Sequence, residues 1–491
     1  MKLRETLPIY AGTALLGLLL SLWQIHNTPQ INHDAVYYLL ALQGDTASIE
    51  QIGNWLFYPY LIEGVSLALG LEPEQAAQVL NILLDTLLVL AFLRLIEILG
   101  GSRSALLWAA LLVLSLPYLN DNRAEIIRDH GYWAFTLVAI IAYLRLFREF
   151  SWKNLLLWNL AMITATLFRV EGAVFLAFMP LGLLLNTAQP WPLRLRCTGK
   201  ALLPVVAIGL AFALAMAFSG SFQNRLAAAI TNAGGLLSIF TETVPRKAAL
   251  LQRGVLPQFS QSTAEIMIYL GVIYSIAKDL FSSLSWLYFG ILLLRRWFPT
   301  ENLPGEARRV IGLYAAISFL VLFLHGAQHF VMVSRYTLAL ALVLLVIVVF
   351  SLEELQRKVR ENPRLKPRMV VIAICIALLF ADSLISSAKP KVYILDAARW
   401  AQENLPDGAR VLTDYHGERV GYYSNKNNDK HYVFLRYRPG TTPVEEYDYA
   451  FVRTRKGKAN SKLQQLLYGR GLKPIQKITN GQQGVIIYKL R

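Results

Sequence analysis

Charge is scarce in this chain. Asp, Glu, Lys and Arg make up 16% of its 491 residues, against about 25% in soluble domains, which argues against an enzyme surrounded by water. Hydrophobic residues reach 55%, so a disordered chain, which needs low hydrophobicity, is excluded. There are two cysteines, Cys197 and Cys375, too few for a disulfide scaffold or a Cys-rich metal site. The stretch 26–75 contains no Lys or Arg. Over the whole chain basic residues still outnumber acidic ones, 48 to 32, for a net charge of +16. Such an excess suits nucleic acid or an anionic membrane surface. No helix-turn-helix, zinc-finger or RNA-binding signature is present, so the membrane is the better reading.

Apolar segments long enough to span a bilayer recur through the first 390 residues. Crossings are expected near 7–25, 76–99, 104–119, 131–147, 154–168, 172–187, 201–218, 280–294, 310–324, 336–352 and 369–386, about eleven in all. The first is read as a retained span, because no small-residue cleavage site follows it. With residue 1 in the cytoplasm, alternate loops collect the basic residues: Arg94 and Arg103; Arg145, Arg148 and Lys153; Arg194, Arg196 and Lys200; and the run from Arg357 to Arg368. An odd number of crossings then places the C-terminus outside, and a bacterial inner (cell) membrane is the expected location. Lys278 and Asp279 interrupt the apolar run 262–294, so 263–277 is read as a helix at the outer surface and 280–294 as the crossing.

The expected domain organisation is a transmembrane domain over residues 1–388 and a small extracytoplasmic α/β domain over 389–491. Residues 390–491 carry 18 Lys and Arg against 9 Asp and Glu. Arg399 to Leu405 closes an amphipathic helix, and Pro406-Asp407-Gly408 turns into a short strand, 409–413. A second strand is expected at 449–452 and a helix at 461–468. A hairpin should turn at Asn480-Gly481.

Polar residues inside or beside spans are costly and therefore informative. All seven histidines, His26, His33, His130, His325, His329, His416 and His431, fall on the outer side of this topology. The first outer segment begins Asn32-His33-Asp34-Ala35-Val36-Tyr37-Tyr38, where Asp34 is either a helix N-cap or a reactive acid. A second acidic cluster contains Arg123, Glu125, Arg128, Asp129 and His130, with Asp129 again at the start of a span. Arg169-Val170-Glu171-Gly172 reads as an ion pair in a tight outer turn. His325, His329, Arg335 and Tyr336 gather at the outer end of late spans. Arg335 is either snorkelling to the interface or holding a phosphate, whose oxygens match the guanidinium fork. Asn81 and Asp85, four residues apart, share one face of the second span and should turn into the bundle.

Together these features resemble the GT-C superfamily of membrane glycosyltransferases, in particular the branch of the protein O-mannosyltransferases and aminoarabinose transferases. The resemblance is carried by His33-Asp34-Ala35-Val36-Tyr37-Tyr38 in the first outer loop, where Ala35 replaces the second acid frequent in the family. Arg128-Asp129-His130 before the fourth span, the Arg169-x-Glu171-Gly172 turn and the Arg335-Tyr336 pair add to it. The fold it implies is a polytopic α-helical membrane protein of about eleven spans with a small C-terminal α/β domain.

The function it implies is inverting transfer of a sugar from a polyprenyl-phosphate-linked donor to a lipid, glycan or protein acceptor on the outer face. Asp34 would be the general base and Asp129 the second catalytic acid. Arg335, Tyr336, His329, His325, Arg128, Arg169, Glu171, His33 and Tyr37 would bind donor phosphate or substrate. Without an Asp-x-Asp motif no metal is expected, and no cofactor or nucleic acid. The main competing reading is a transporter or flippase for a lipid-linked saccharide, against which stands the absence of repeated hydropathy halves. A third is a non-catalytic scaffold whose outer domain binds glycan.

Overall fold

The computed structural model describes residues 3–218, 238–293, 303–385, 391–414, 417–426, 428–455, 461–481 and 483–491. His416 lies outside the described residues. The chain is a polytopic helical membrane protein ending in a small five-stranded sheet. It divides into two compact units. One comprises residues 1–19, 82–120 and 128–385, the other residues 20–81, 121–127 and 386–491.

Among the described residues, seven helices are long and apolar enough to cross a membrane: Glu5–Asn27, Pro73–Ile98, Asp129–Arg148, Gln258–Leu293, Gly305–His329, Ser334–Glu361 and Pro363–Leu384. Four of the eleven expected crossings fall on other elements. The stretch 104–119 is divided, because helix Arg103–Leu114 stops before Pro117 opens the short helix Pro117–Asn122. The stretch 154–168 lies on Trp152–Phe168, whose 17 residues rise about 26 Å, less than the roughly 30 Å of a hydrocarbon core. The stretch 172–187 is a short α-helix, Gly172–Phe178, followed by a tighter 3-10 turn, Met179–Leu185, with Pro180 near its start. The stretch 201–218 forms the end of helix Trp191–Phe218.

The expected break at Lys278-Asp279 is absent. Helix Ala264–Leu293 runs through both residues and bends instead at Ser285, whose φ is +69°. Asp279 is accommodated because its carboxylate accepts a hydrogen bond from Ser334 Oγ at 3.0 Å. The hydroxyls of Ser283 and Thr337 lie 2.6 Å apart beside it. A polar residue that finds such partners in a neighbouring helix need not end its own.

Within the first unit, the apolar part of helix Ser334–Glu361 is enclosed: Leu338, Ala341, Leu345, Val346, Val348 and Val349 are all buried. Helix Leu3–Asn27 instead leaves Leu7, Leu15, Leu16 and Leu19 exposed, as a face turned to lipid requires. Tyr143 donates to the Met179 carbonyl at 2.7 Å and Trp158 donates to Tyr314 Oη at 3.1 Å. Each large aromatic thus buries its ring while its polar tip finds a partner.

In the second unit the sheet has the order β2 (Val433–Arg436), β1 (Arg410–Thr413), β3 (Tyr449–Arg455), β5 (Gln483–Lys489), β4 (Pro474–Thr479). The β2–β1–β3 pairings are parallel and β3–β5–β4 antiparallel. Period-two alternation sorts the strand residues between two faces. Val411, Phe451, Val485 and Ile487 pack with helices Tyr393–Asn404 and Gly417–Asn425. Leu412, Ala450, Val452, Ile486 and Tyr488 pack with Leu463 and Leu467 of helix Lys462–Gly469. The expected strands, final helix and hairpin are present. Helix Gly417–Asn425 and strand β2 are additional.

The same unit contains helices His33–Leu42, Thr46–Gln51 and Phe57–Leu69. The residues flanking them make polar contacts with the C-terminal part of the unit: Tyr423 Oη accepts from the Ile31 amide at 2.8 Å, and Lys426 Nζ meets Glu74 at 2.8 Å. Asn32 exchanges two hydrogen bonds with the backbone of Ile126.

Candidate functional site

In the first unit the Arg169-Val170-Glu171-Gly172 turn builds the centre of a charged pocket. Helix Trp152–Phe168 ends at Phe168, and the chain doubles back through hydrogen bonds from the Gly172 and Ala173 amides to the carbonyls of Arg169 and Val170, each 3.0 Å. Gly172 is required because a Cβ there would collide with the Thr166 backbone at 2.9 Å. Gly131 plays the same part opposite, since a Cβ would overlap the Phe168 ring. These two glycines bring the turn against the start of helix Asp129–Arg148.

Arg169, only 7% exposed, then bridges two carboxylates. One Nη donates to Asp129 Oδ1 and the other to Glu171 Oε1. Its guanidinium lies 4.5 Å from the centre of the Tyr336 ring and 5.9 Å from that of Tyr132, an arrangement that adds cation–π attraction to the ion pairs. Burial alone would raise the Glu171 pKa. The charge and hydrogen bond of Arg169 overcome it, Arg128 adds to them, and the carboxyl is held at about 2. Glu171 is therefore an anion at any physiological pH and acts as a fixed charge rather than a proton carrier.

The pocket holds only about 30 Å³ of space for water-sized groups, and its wall contains Asp129, Tyr132, Arg169, Glu171, His325, Arg335 and Tyr336. His325 meets Tyr336 edge-on at 5.0 Å and His329 at 4.8 Å, and His329 itself is exposed. Arg335 lies with its guanidinium 5.4 Å from the Tyr336 ring. Of the residues expected from the sequence, the fold thus brings together Asp129, Arg169, Glu171, His325, Arg335 and Tyr336, with His329 and Arg128 at the periphery. Arg128 precedes helix Asp129–Arg148 and reaches Glu171 through its field.

His33, Asp34 and Tyr37 belong to the second unit. Asn32, not Asp34, occupies the N-cap of helix His33–Leu42, and Asp34 stands in its first turn, half-buried. The helix-cap reading of Asp34 is thereby overturned. The neighbouring acid is Glu418, which the sequence reading missed. Tyr37 Oη donates to Glu418 at 3.4 Å and lies 3.3 Å from His33 Nε2, while His33 Nδ1 is 3.9 Å from Glu418. Burial lowers the His33 pKa against the pull of Glu418 and Asp34, with Arg419 and Arg436 also lowering it. Tyr37 is pushed up to about 12, by burial first and then by Glu418. No local signal marks Glu418: it is separated from Tyr37 by 381 residues.

Asn81 and Asp85 do turn inward, but each is used structurally. Asn81 accepts from Tyr58 Oη at 2.7 Å and donates to the Glu125 carbonyl at 2.9 Å. Asp85 Oδ1 lies 2.7 Å from His130 Nδ1, both fully enclosed. Among the described residues no group of three or more His, Cys, Asp or Glu is placed to hold a metal ion.

No protein-family model matches the chain. No curated protein matches it either. Solved structures do. The oligosaccharyltransferase of Archaeoglobus fulgidus, tethered to an acceptor peptide containing the NVT sequon, superposes with a TM-score of 0.54 at 13% identity, over 92% of this chain and 69% of that one. ArnT from Cupriavidus metallidurans bound to undecaprenyl phosphate superposes with a TM-score of 0.51 at 12% identity, over 99% of this chain and 98% of that one. The two share a fold with this chain across nearly its whole length: it has the fold of the GT-C membrane glycosyltransferases.

Proposed function

We propose that the chain is a GT-C-type glycosyltransferase that moves a sugar from a polyprenyl-phosphate-linked donor to a lipid, glycan or protein acceptor on the outer face of the cell membrane. The observation that carries this reading is the pocket of the first unit, where acids, a doubly paired arginine and a second arginine converge from three separate stretches of sequence. The similarity to an enzyme bound to undecaprenyl phosphate supports the donor class.

The chemistry follows from what a glycosyl transfer needs. A sugar hydroxyl is a weak nucleophile, so a carboxylate must take its proton as it attacks. We assign that role to Asp34, in a single displacement that inverts the anomeric centre. The transition state gains positive charge at the ring, so fixed anions nearby stabilise it. Asp129, aimed by Arg169, is the second acid. Arg335 and Tyr336, with His325 and His329, receive the donor phosphate, and Arg335 lines the pocket rather than the lipid face, which favours a phosphate over mere snorkelling. His33 and Tyr37 support Asp34 through the Glu418 network.

The test is sugar transfer from a polyprenyl-phosphate donor by purified protein in detergent. Asp34→Asn keeps the side-chain shape and removes the proton acceptor, so the rate should fall by about two to four orders of magnitude while donor binding persists. Turnover near that of the parent would remove Asp34 as the base. Asp129→Asn tests the second acid in the same assay.

A further inference from the structure

Apart from the charged pocket, the first unit contains a larger cavity lined by apolar side chains. It holds about 350 Å³ of space for water-sized groups. Phe178, Leu181 and Leu185 form one wall, and Leu313, Ala316 and Leu320 of helix Gly305–His329 form the other. Between them lies Gly182. A Cβ there would stand 2.2 Å from a Leu313 methyl, so glycine lets the Met179–Leu185 turn come this close to the helix. The cavity is open along its side: Phe178, Leu181, Leu185 and Leu320 are 46%, 43%, 45% and 40% exposed.

One end of this groove is basic. Arg309 Nη1 donates to the Leu185 carbonyl at 2.8 Å and to Thr187 Oγ1 at 2.6 Å. Arg194 donates through Nη1 to the Leu184 carbonyl at 3.3 Å and through Nε to the Gln189 carbonyl at 2.6 Å. These neutral acceptors hold the cations at the groove mouth without cancelling their charge. The nearby acid, Glu306, meets Arg148 at 2.6 Å. Both bonds of the exposed Arg309 use Nη1, which leaves Nε and Nη2 of its fork for an incoming oxygen. Arg309, Leu313, Ala316 and Leu320 recur at helical spacing, so charge and groove share one face of the helix. From Arg309 to Leu320 that helix rises about 16 Å, about half of a roughly 30 Å hydrocarbon core. The face therefore spans the depth of one leaflet. Any exposed apolar face in a membrane meets lipid; a concave face with fixed cations at its mouth selects among lipids. A zwitterionic headgroup brings its own cation to that mouth. An anionic one does not, and its phosphate oxygens match the guanidinium fork. In the topology expected from the basic loops this is the cytoplasmic end, the side of the anionic leaflet.

We propose that the groove between Met179–Leu185 and helix Gly305–His329 binds one anionic phospholipid, an acyl chain in the cavity and the phosphate on Arg309 with Arg194 beside it. The occupant is a membrane lipid and not the sugar donor. The groove shares no lining residue with the charged pocket around Arg169.

The full chain in a neutral detergent is titrated with phosphatidylglycerol and with phosphatidylcholine of the same acyl chains, and bound lipid is counted by native mass spectrometry. The parent should retain one phosphatidylglycerol, saturably, at concentrations where phosphatidylcholine is not retained. Arg309→Gln should lower that affinity by about fivefold or more, the worth of one basic residue at an anionic surface. Ala316→Trp, at an exposed position, fills the groove without touching a charge and should remove the retained lipid. Arg399→Gln removes an exposed cation of the second unit and should leave the affinity at that of the parent. Weakening in both groove variants with Arg399→Gln unchanged supports the site. Equal retention of the two lipids, parent-like affinity in either groove variant, or equal weakening by Arg399→Gln overturns it. Preferential retention of a polyprenyl phosphate that Ala316→Trp abolishes would give the groove to a prenyl chain and overturn it as well.

Discussion

Arg169 offers the sharpest quantitative test of the charged pocket. Its guanidinium is nearly enclosed and joins two carboxylates through separate nitrogens. Replacing it by Met leaves Asp129 and Glu171 as adjacent anions with no counter-charge. Breaking a buried ion pair by removing one partner costs about 3–5 kcal/mol, because the remaining charge has lost its compensation. Arg169→Lys keeps the charge but offers a point instead of a planar fork. It should give up one of the two charge-assisted bonds, about 1.5–3 kcal/mol, together with the stacking on Tyr336. The combined variant Asp129→Asn, Arg169→Met, Glu171→Gln removes all three charges, and neutral replacement of a buried triad is often tolerated. Its stability should therefore lie well above that of Arg169→Met alone. The assay is unfolding of purified protein in a fixed detergent, followed by intrinsic fluorescence with the order parent, triple, Lys, Met or parent, Lys, triple, Met. Arg169→Met as stable as the parent would refute the argument. A triple variant no better than Arg169→Met would show that the loss comes from packing against Tyr336 and not from uncompensated charge.

Donor affinity separates the roles open to Arg335: Arg335→Lys should weaken binding partly and Arg335→Ala much more, whereas a snorkelling side chain would let Lys substitute almost fully, and equal affinities for all three forms would exclude Arg335 from the phosphate site. Asp414 provides a pH test. Its folded pKa is raised to about 6, so its contribution to stability is complete below the ordinary carboxylate range and is lost as pH rises through 6. Asp414→Asn should gain on the parent between pH 4 and 7, by up to about 3 kcal/mol for two pKa units, and an offset independent of pH would contradict this. A reporter fused after Leu490 should behave as extracytoplasmic and one fused near Lys366 as cytoplasmic. A cytoplasmic signal at Leu490 would invert the expected topology.

Local pattern carried the sequence reading as far as local physics reaches. Apolar runs of span length are legible because a bilayer demands them residue by residue, and the helices Pro73–Ile98, Asp129–Arg148, Gly305–His329 and Ser334–Glu361 stand where hydropathy places them. The Arg169–Gly172 turn and the Asn480-Gly481 hairpin were also legible, since glycine geometry is written into a few adjacent residues. Alternation in 409–413 and 449–452 announced two strands, but the exposed β2, with Val433 and Leu435 facing outward, carries no such mark.

Only tertiary structure decided who meets whom. Asp129 and Glu171 share Arg169 because two glycines let one helix end approach another, and nothing in a hydropathy profile measures that distance. Asp85 finds His130, and Tyr37 finds Glu418, through helix rotations and chain returns that periodicity leaves open. The continuity of Ala264–Leu293 through Lys278-Asp279 has the same origin: the two charges interrupt an apolar run in the sequence, but Ser334 on a neighbouring helix supplies Asp279 with a hydrogen bond and the helix continues. Hydrophobicity is a property of each residue and could be summed along the chain. The pairing of buried polar groups depends on geometry between segments and exists only once the segments have packed.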